Sequence, residues 1–257
     1  MTSHSQRLVI LGGTGFVGSH LLPRLSAAGH QILLLSRNRE KHRQFSLLPG
    51  LELCSADVYD RTALAHCLHG ADAVLNLIGI LNESAGMPFR KVHVDLASTL
   101  VAACRQAGVQ RLHQMSSLRA GEGASLYLIT RGEAERVVRA SGLDWTIYQP
   151  SVMFGRGDGL VTRFLALLRK IPVLPLACAT AKLQPVAVED VCAAVEHCVN
   201  RGAGVGCSFE LGGPEVMSLD EIVHAVCAAA GLHRWIVPLP DALGILQARL
   251  GEWLPGK

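Results

Sequence analysis

An α/β fold built on a doubly wound parallel sheet is predicted by two features of this sequence. Six short apolar runs alternate with longer stretches of helical periodicity, and a glycine-rich turn separates the first apolar run from the first helix. Each crossover helix has to bury an apolar stripe, so the sheet must be covered on both faces. Right-handed crossovers then wind it outward in two directions.

Taken in order, RLVIL, QILLLS, LELC, DAVLNLIG, RLHQMSS and WTIYQ read as buried strands. FVGSHLLPRLSAAG, DRTALAHCLHG, FRKVHVDLASTLVAACRQAG and LYLITRGEAERVVRASG read as helices, with Gly29, Gly70, Gly108 and Gly142 as their stops. Pro23 inside the first helix removes one hydrogen bond, and a kink is expected there. After Pro150 the alternation loosens into SVMFGRGDG, a helix VTRFLALLRK, a proline-rich stretch, a helix from VEDVCAAV, a short strand FELGG and two more helices. The expected division is a nucleotide-binding lobe over 1–150 and a smaller substrate or partner lobe over 151–257. Segment 183–200 is expected to return to the first lobe.

The bulk composition excludes several classes of function. The chain has 257 residues, 49% of them hydrophobic, which suits one large domain with a lobe and argues against disorder. Twenty-four Lys and Arg face 21 Asp and Glu, scattered along the chain, so nucleic acid is not the expected partner. Eight cysteines form no CxxC pair and several fall in apolar helical patterns, which predicts buried reduced thiols and no metal site; His66, Cys67 and His69 are the nearest approach to one. MTSHSQR leaves no room for a signal sequence before the first strand, and no apolar run is long enough to span a membrane, so a cytoplasmic location is expected. The closing DALGILQARLGEWLP reads as an amphipathic helix for packing or, less simply, for a membrane surface.

The turn in LVILGGTGFVGSHLL carries the first chemical expectation. A dinucleotide's diphosphate needs backbone N–H groups and a helix N-terminus aimed at it, and a Cβ at the closest approach would hold it off. Gly12 suits the tight turn, Gly15 the phosphate approach and Gly18 close helix–strand packing, with Thr14, Phe16 and Val17 completing the bed. Spaced glycines alone are a weak signal. Here they follow a strand and open a helix, which is the context the motif needs. At the end of the second strand an acidic residue would grip a ribose 2′-hydroxyl. The sequence instead has Ser36, Arg37, Asn38 and Arg39, donors suited to a 2′-phosphate, so NADP(H) is favoured over NAD(H). Asp57 and Val58 leave the third strand beside the expected adenine, and Asn76, Leu77, Ile78 and Gly79 leave the fourth beside the ribose.

With GGTGFVGSHL, ADVYD, NLIGIL, RGEAE, LDWTIYQPSVMFGRGD, QPVAVEDV and FELGGPE in hand, the chain resembles the short-chain dehydrogenase/reductase superfamily. More narrowly, it resembles the atypical branch that includes the nucleotide-binding accessory subunit of respiratory complex I and its bacterial relatives. The resemblance runs from Leu8 to the closing WLPGK, past which relatives usually continue. It implies a Rossmann-like lobe, a small second lobe and a bound NAD(P)H. It also places Pro150, Ser151 and Val152 against the nicotinamide, and has Gln184, Pro185, Glu189 and Asp190 in a segment returning to the coenzyme lobe, although the two acids equally suit a helix N-terminus.

Active members of the superfamily use a Ser and a Tyr-xxx-Lys pair for proton transfer. The corresponding residues here are Ser116, Ser117, Tyr127 and, in place of lysine, Arg131. Tyrosine and arginine four apart share a helix face. Arginine keeps the charge but is planar and bulkier, so the exchange is not conservative. Three functions stay open: a coenzyme-holding protein with weak or no turnover, linked to a quinone or respiratory membrane complex and peripheral to the inner membrane; an NADP(H)-dependent oxidoreductase acting on an apolar carbonyl or quinone; and a nucleotide-sugar epimerase or dehydratase. Relatives often have arginine where Gln149 stands.

Overall fold

The computed structural model describes residues 5–240; the amphipathic stretch read at 241–255 lies outside them. In chain order the elements begin β1 (Arg7–Leu11), α1 (Phe16–Ala27), β2 (Gln31–Ser36), β3 (Leu51–Ser55), α2 (Arg61–Leu68), β4 (Ala73–Asn76), α3 (Leu96–Ala107), β5 (Arg111–Met115), α4 (Leu126–Arg139) and β6 (Asp144–Pro150). They continue β7 (Met153–Phe154), α5 (Val161–Lys170), β8 (Val173–Leu176), β9 (Lys182–Leu183), β10 (Val186–Ala187), α6 (Val188–Arg201), β11 (Cys207–Leu211), β12 (Met217–Ser218), α7 (Leu219–Ala229) and β13 (Trp235–Pro238). A 3-10 segment covers Arg39–Leu47, and a π-helical turn, Lys91–Asp95, leads into α3.

One unit comprises the chain up to Pro150 together with Val188–Leu211. Its sheet has seven strands in the order β11-β6-β5-β4-β1-β2-β3, every pair parallel. β1 lies inside the sheet between β4 and β2, and Leu8, Val9, Ile10 and Leu11 are fully buried, as a strand covered on both faces requires. Its register sets Val9 between Leu33 and Val74, apolar partners on either side. The strand order reverses between β1 and β4, and in such sheets the crevice at that reversal is where ligands bind. The doubly wound parallel architecture is therefore as the sequence predicts.

Three details differ from the sequence expectation. The strand in FELGG does not belong to the smaller lobe: β11 joins the main sheet, pairing Phe209 with Tyr148, only Gly212 and Gly213 fall in the second unit, and the return to this unit begins at Val188. Gln184 and Pro185 consequently lie in the other unit. Helix α1 runs through Pro23 as the sequence reads it, with buried Leu21, Leu22 and Leu25 around it. Of the cysteines, all free, Cys104, Cys192, Cys198 and Cys227 are buried, but Cys54 and Cys67 are only half-buried and Cys178 and Cys207 are exposed.

The second unit holds Ser151–Ala187 and the chain from Gly212 onward. It contains three two-stranded sheets, β7 with β10, β9 with β12, and β8 with β13. Leu168, Leu174, Leu176, Val223 and Val226 form its core, drawn from α5, β8 and α7.

Candidate functional site

The turn after β1 packs against the exit of β4. Gly12 has φ +74°, and a Cβ there would lie 2.7 Å from the Ile78 nitrogen. A Cβ on Gly18 would drive into the Gly13 main chain, so this glycine lets α1 sit directly on the turn. Gly13, which the sequence reading passed over, is equally constrained: its Cβ would stand 2.6 Å from Leu34. Gly15 differs, since only the Gly12 carbonyl, at 3.2 Å, lies within 4 Å of its added Cβ. Gly15 caps α1 without a side-chain hydrogen bond, and the first turn, with Phe16, Val17 and Gly18, carries no acidic residue. The positive end of the helix is thus uncompensated by protein, which suits an anionic diphosphate.

At the exit of β2, Ser36 is buried and its Oγ accepts from the Asn38 N–H at 3.3 Å. Asn38 in turn caps the 3-10 segment, Oδ1 accepting from the Lys41 N–H at 3.4 Å. Glu40 takes Arg39 at 3.4 Å and also pairs with Arg43. Arg37 is exposed and is in no ion pair among the described residues. It lies close enough to Tyr59 to oppose the rise in that phenol's pKa caused by burial. At the exit of β3, Asp57 Oδ1 accepts from the Tyr59 N–H at 3.0 Å, and Val58 is buried.

The exit of β4 is a clamp. Asn76 is buried, donates to Gln114 Oε1 at 3.0 Å and accepts from the Ile78 N–H at 3.1 Å, which shapes the Asn76–Gly79 turn from within. Gly79 has a role the sequence did not reveal. The Arg131 guanidinium lies on its Cα, in the space a Cβ would fill. Arg131 is 6% exposed, and its Nη1 donates to the Met115 carbonyl at 3.1 Å. Gly79→Ala is therefore expected to expel the guanidinium and cost about 2 kcal/mol through the broken charged hydrogen bond. Thermal denaturation checks this; an unchanged midpoint would mean Arg131 finds an equivalent seat.

Tyr127 stands over this arginine, with the guanidinium carbon 5.4 Å from its ring centre. Phe89 and His93 complete an aromatic box around it, at 5.8 Å and 5.6 Å, both edge-on. His93 projects from the π-helical turn, is buried, stacks on Phe89 and contacts Thr130 Oγ1 through Nδ1 at 2.9 Å. Burial, and then the Arg131 charge, push its pKa down to about 3, so it is neutral. Phe89, His93 and Thr130 were not singled out from the sequence. A histidine at helical spacing on an apolar face carries no signal until the π turn shows where it points. Ser116 and Ser117, at the end of β5, are buried, and among the described residues neither Oγ has a hydrogen-bond partner, nor does Arg131 Nε. Unsatisfied buried polar atoms are costly, and at the C-terminal edge of the sheet these would suit a polar ligand.

The Pro150 carbonyl accepts from the Leu118 N–H at 2.8 Å, tying β6 to the serine turn. Gln149 does not present a free amide: Nε2 donates to both oxygens of buried Glu135, at 2.8 and 3.0 Å, and Arg139 pairs with the same carboxylate at 3.0 Å. Ser151 and Val152 open the second unit, where the Val152 carbonyl accepts from Val186. Glu189 and Asp190 fall in the first turn of α6, where they oppose its dipole, and Glu189 lies 3.4 Å from His20. Gln184 donates to the Gly213 carbonyl at 2.6 Å. No group of three or more His, Cys, Asp or Glu among the described residues could hold a metal, and none of their helices is long and apolar enough to cross a membrane.

A family model described as NAD(P)H-binding matches residues 12–162, which include the glycine turn, the serines and the Tyr127–Arg131 pair. The chain belongs to the NAD(P)H-binding atypical short-chain dehydrogenase/reductases. Among curated members of this family, it is 30% identical to the mitochondrial NADH dehydrogenase (ubiquinone) 1 alpha subcomplex subunit 9 of Arabidopsis thaliana, over 84% of this chain and 56% of that one. It is also 30% identical to a ceramide reductase of Caulobacter vibrioides, over 94% and 75% respectively. The chain spans 56–67% of the length of the complex I subunits it matches. In structure it is similar to a dTDP-glucose 4,6-dehydratase of Streptomyces venezuelae with NAD bound, at a TM-score of 0.77, 22% identity, and 91% and 85% of the two chains. This last likeness shows the shared fold.

Proposed function

We propose that this atypical short-chain dehydrogenase/reductase holds NADP(H) in preference to NAD(H), with little or no turnover, in the service of a quinone-linked membrane complex. The state of Arg131 carries the reading. By the family resemblance it occupies the position of the lysine that grips the coenzyme ribose and tunes the tyrosine. Here the guanidinium is buried, bonded to the Met115 carbonyl and wedged on Gly79, so its charge is directed into the protein. The residues fit a dinucleotide. Gly15 leaves the α1 N-terminus open to a diphosphate, Asp57 and Val58 flank the adenine position, and the Asn76–Gly79 turn offers main chain to a ribose. Preference for the 2′-phosphate is supported by the absence of an acid at the end of β2 and by Arg37, which is in no ion pair among the described residues. The likeness to complex I subunits supports a membrane-complex partner.

A second reading, reduction of an apolar or quinone-like carbonyl, is favoured by the two unpartnered serine hydroxyls and by the similarity to the ceramide reductase. When bound, the coenzyme would supply the hydride. Ser116 or Ser117 would donate a hydrogen bond to the carbonyl oxygen, and the Tyr127 hydroxyl would give it a proton.

Fluorescence titration with NADPH and NADH, followed by assays for coenzyme oxidation with long-chain aldehydes, ketones and quinones, separates the two. Tight binding without oxidation is expected. Turnover that vanishes in Tyr127→Phe while binding persists would establish the reductase instead. Arg37→Ala should weaken NADPH by about tenfold or more, through loss of a charge-assisted hydrogen bond, and leave NADH nearly untouched. Arg39→Ala should do less, because Glu40 already holds that guanidinium. Equal losses of both coenzymes in Arg37→Ala would refute the phosphate grip.

A further inference from the structure

We propose that the outer face of the β8–β13 sheet, in the second unit, is a docking surface for an anionic lipid bilayer. The face lies wholly within this unit.

The sheet has two strands, parallel, with Trp235 opposite Val173 and Val237 opposite Pro175. Side chains alternate across a strand, so these four share one face, while Leu174 and Leu176 turn inward to the core. All four outward residues are apolar and exposed; Trp235 is 78% exposed and each valine 45%. An exposed tryptophan is costly in a protein that meets only water, and here it shares one apolar face with Val173, Pro175 and Val237.

The charged residues that flank these two strands in sequence are basic. Arg169 and Lys170 end α5 just before β8, and Arg234 precedes Trp235, with its Nε donating to the Leu168 carbonyl at 2.5 Å. None of the three is in an ion pair among the described residues. The two stretches that build the face, 159–188 and 222–240, contain no Asp or Glu. A protein partner of ordinary size would need roughly 20–30 residues on this side, which a two-stranded ribbon does not offer. A bilayer makes no such demand. It takes a few apolar side chains at the headgroup level, keeps an indole there with its N–H in a wet layer, and draws in lysine and arginine when its lipids are anionic.

The test is flotation of the full chain with vesicles of phosphatidylcholine alone and with about 30% phosphatidylglycerol. Binding to the anionic vesicles, lost in high salt and absent from the neutral ones, is expected. The double variant Arg169→Gln, Lys170→Gln touches no core residue and should lower binding about 30-fold. Trp235→Ser should lower it about tenfold, with Trp235→Phe restoring most of it and circular dichroism confirming the fold. Equal flotation with both vesicle types, or binding indifferent to both variants, would overturn the proposal. So would a dimer that forms with concentration and dissociates in Trp235→Ser, because the face would then belong to a second copy.

Discussion

Gly15→Ala should abolish tight coenzyme binding at almost unchanged stability, whereas Gly18→Ala should unfold the protein at a markedly lower temperature. Two glycines three residues apart serve different physical ends. Gly15 has φ −85° and ψ −170°, a conformation open to any residue, and an added Cβ meets only the Gly12 carbonyl at 3.2 Å. A shift of a few tenths of an ångström accommodates it. The new methyl then stands at the uncapped α1 N-terminus, where a diphosphate has to reach the main chain, and a loss of at least about 100-fold in affinity is expected. At Gly18 the added Cβ enters the Gly13 backbone, which no rotamer change relieves. Helix α1 must lift from the turn, at a cost of about 3 kcal/mol or a drop of roughly 6–12 °C in Tm. Coenzyme fluorescence and thermal denaturation on the two variants check both halves. Wild-type affinity in Gly15→Ala would sink the assignment of this turn as the diphosphate bed.

This division of labour was only partly legible in the sequence. The strand–glycine–helix order, the six strands and the helix stops follow from local periodicity and from glycine's chemistry, both of which act over a few residues. What escaped was non-local. FELGG has too few residues to announce its partner, and its place beside β6 depends on a crossover through α6 that returns from the second unit. The same holds for Gly79, whose lack of a side chain matters only because Arg131, on another element, lies on it. The helix read over 89–108 was sound, but its π turn, which turns His93 toward Tyr127, leaves no mark on apolar spacing. Nor does the sequence reveal that Gln149, where relatives often carry arginine, is held by Glu135.

Two buried histidines make the protein acid-sensitive well above the range where carboxylates titrate. His113, on β5, is enclosed between strands, with Nδ1 2.9 Å from the Tyr148 hydroxyl and its ring stacked on that tyrosine at 6.0 Å. Burial, reinforced by the Arg111 charge, lowers its pKa to about 3. His93 is lowered to about 3 in the same way, burial first and Arg131 second. The unfolded chain protonates both rings near pH 6.5, so between that pH and about 3 it binds protons that the native state refuses. Stability is therefore complete above pH 6.5 and falls as the pH drops. At pH 5 each ring should withdraw about 2 kcal/mol, and the pair about 4, a large share of the roughly 5–15 kcal/mol that holds a typical domain together. Urea denaturation at pH 7 and pH 5 measures the loss. The double variant His93→Asn, His113→Asn starts from a lower stability, since Thr130 and Tyr148 lose their ring partners, but its urea midpoint should shift much less between the two pH values. A wild-type midpoint that does not move from pH 7 to pH 5 would mean the rings are hydrated or charged in the native state. In that case the neutral aromatic box around Tyr127 would not exist in solution.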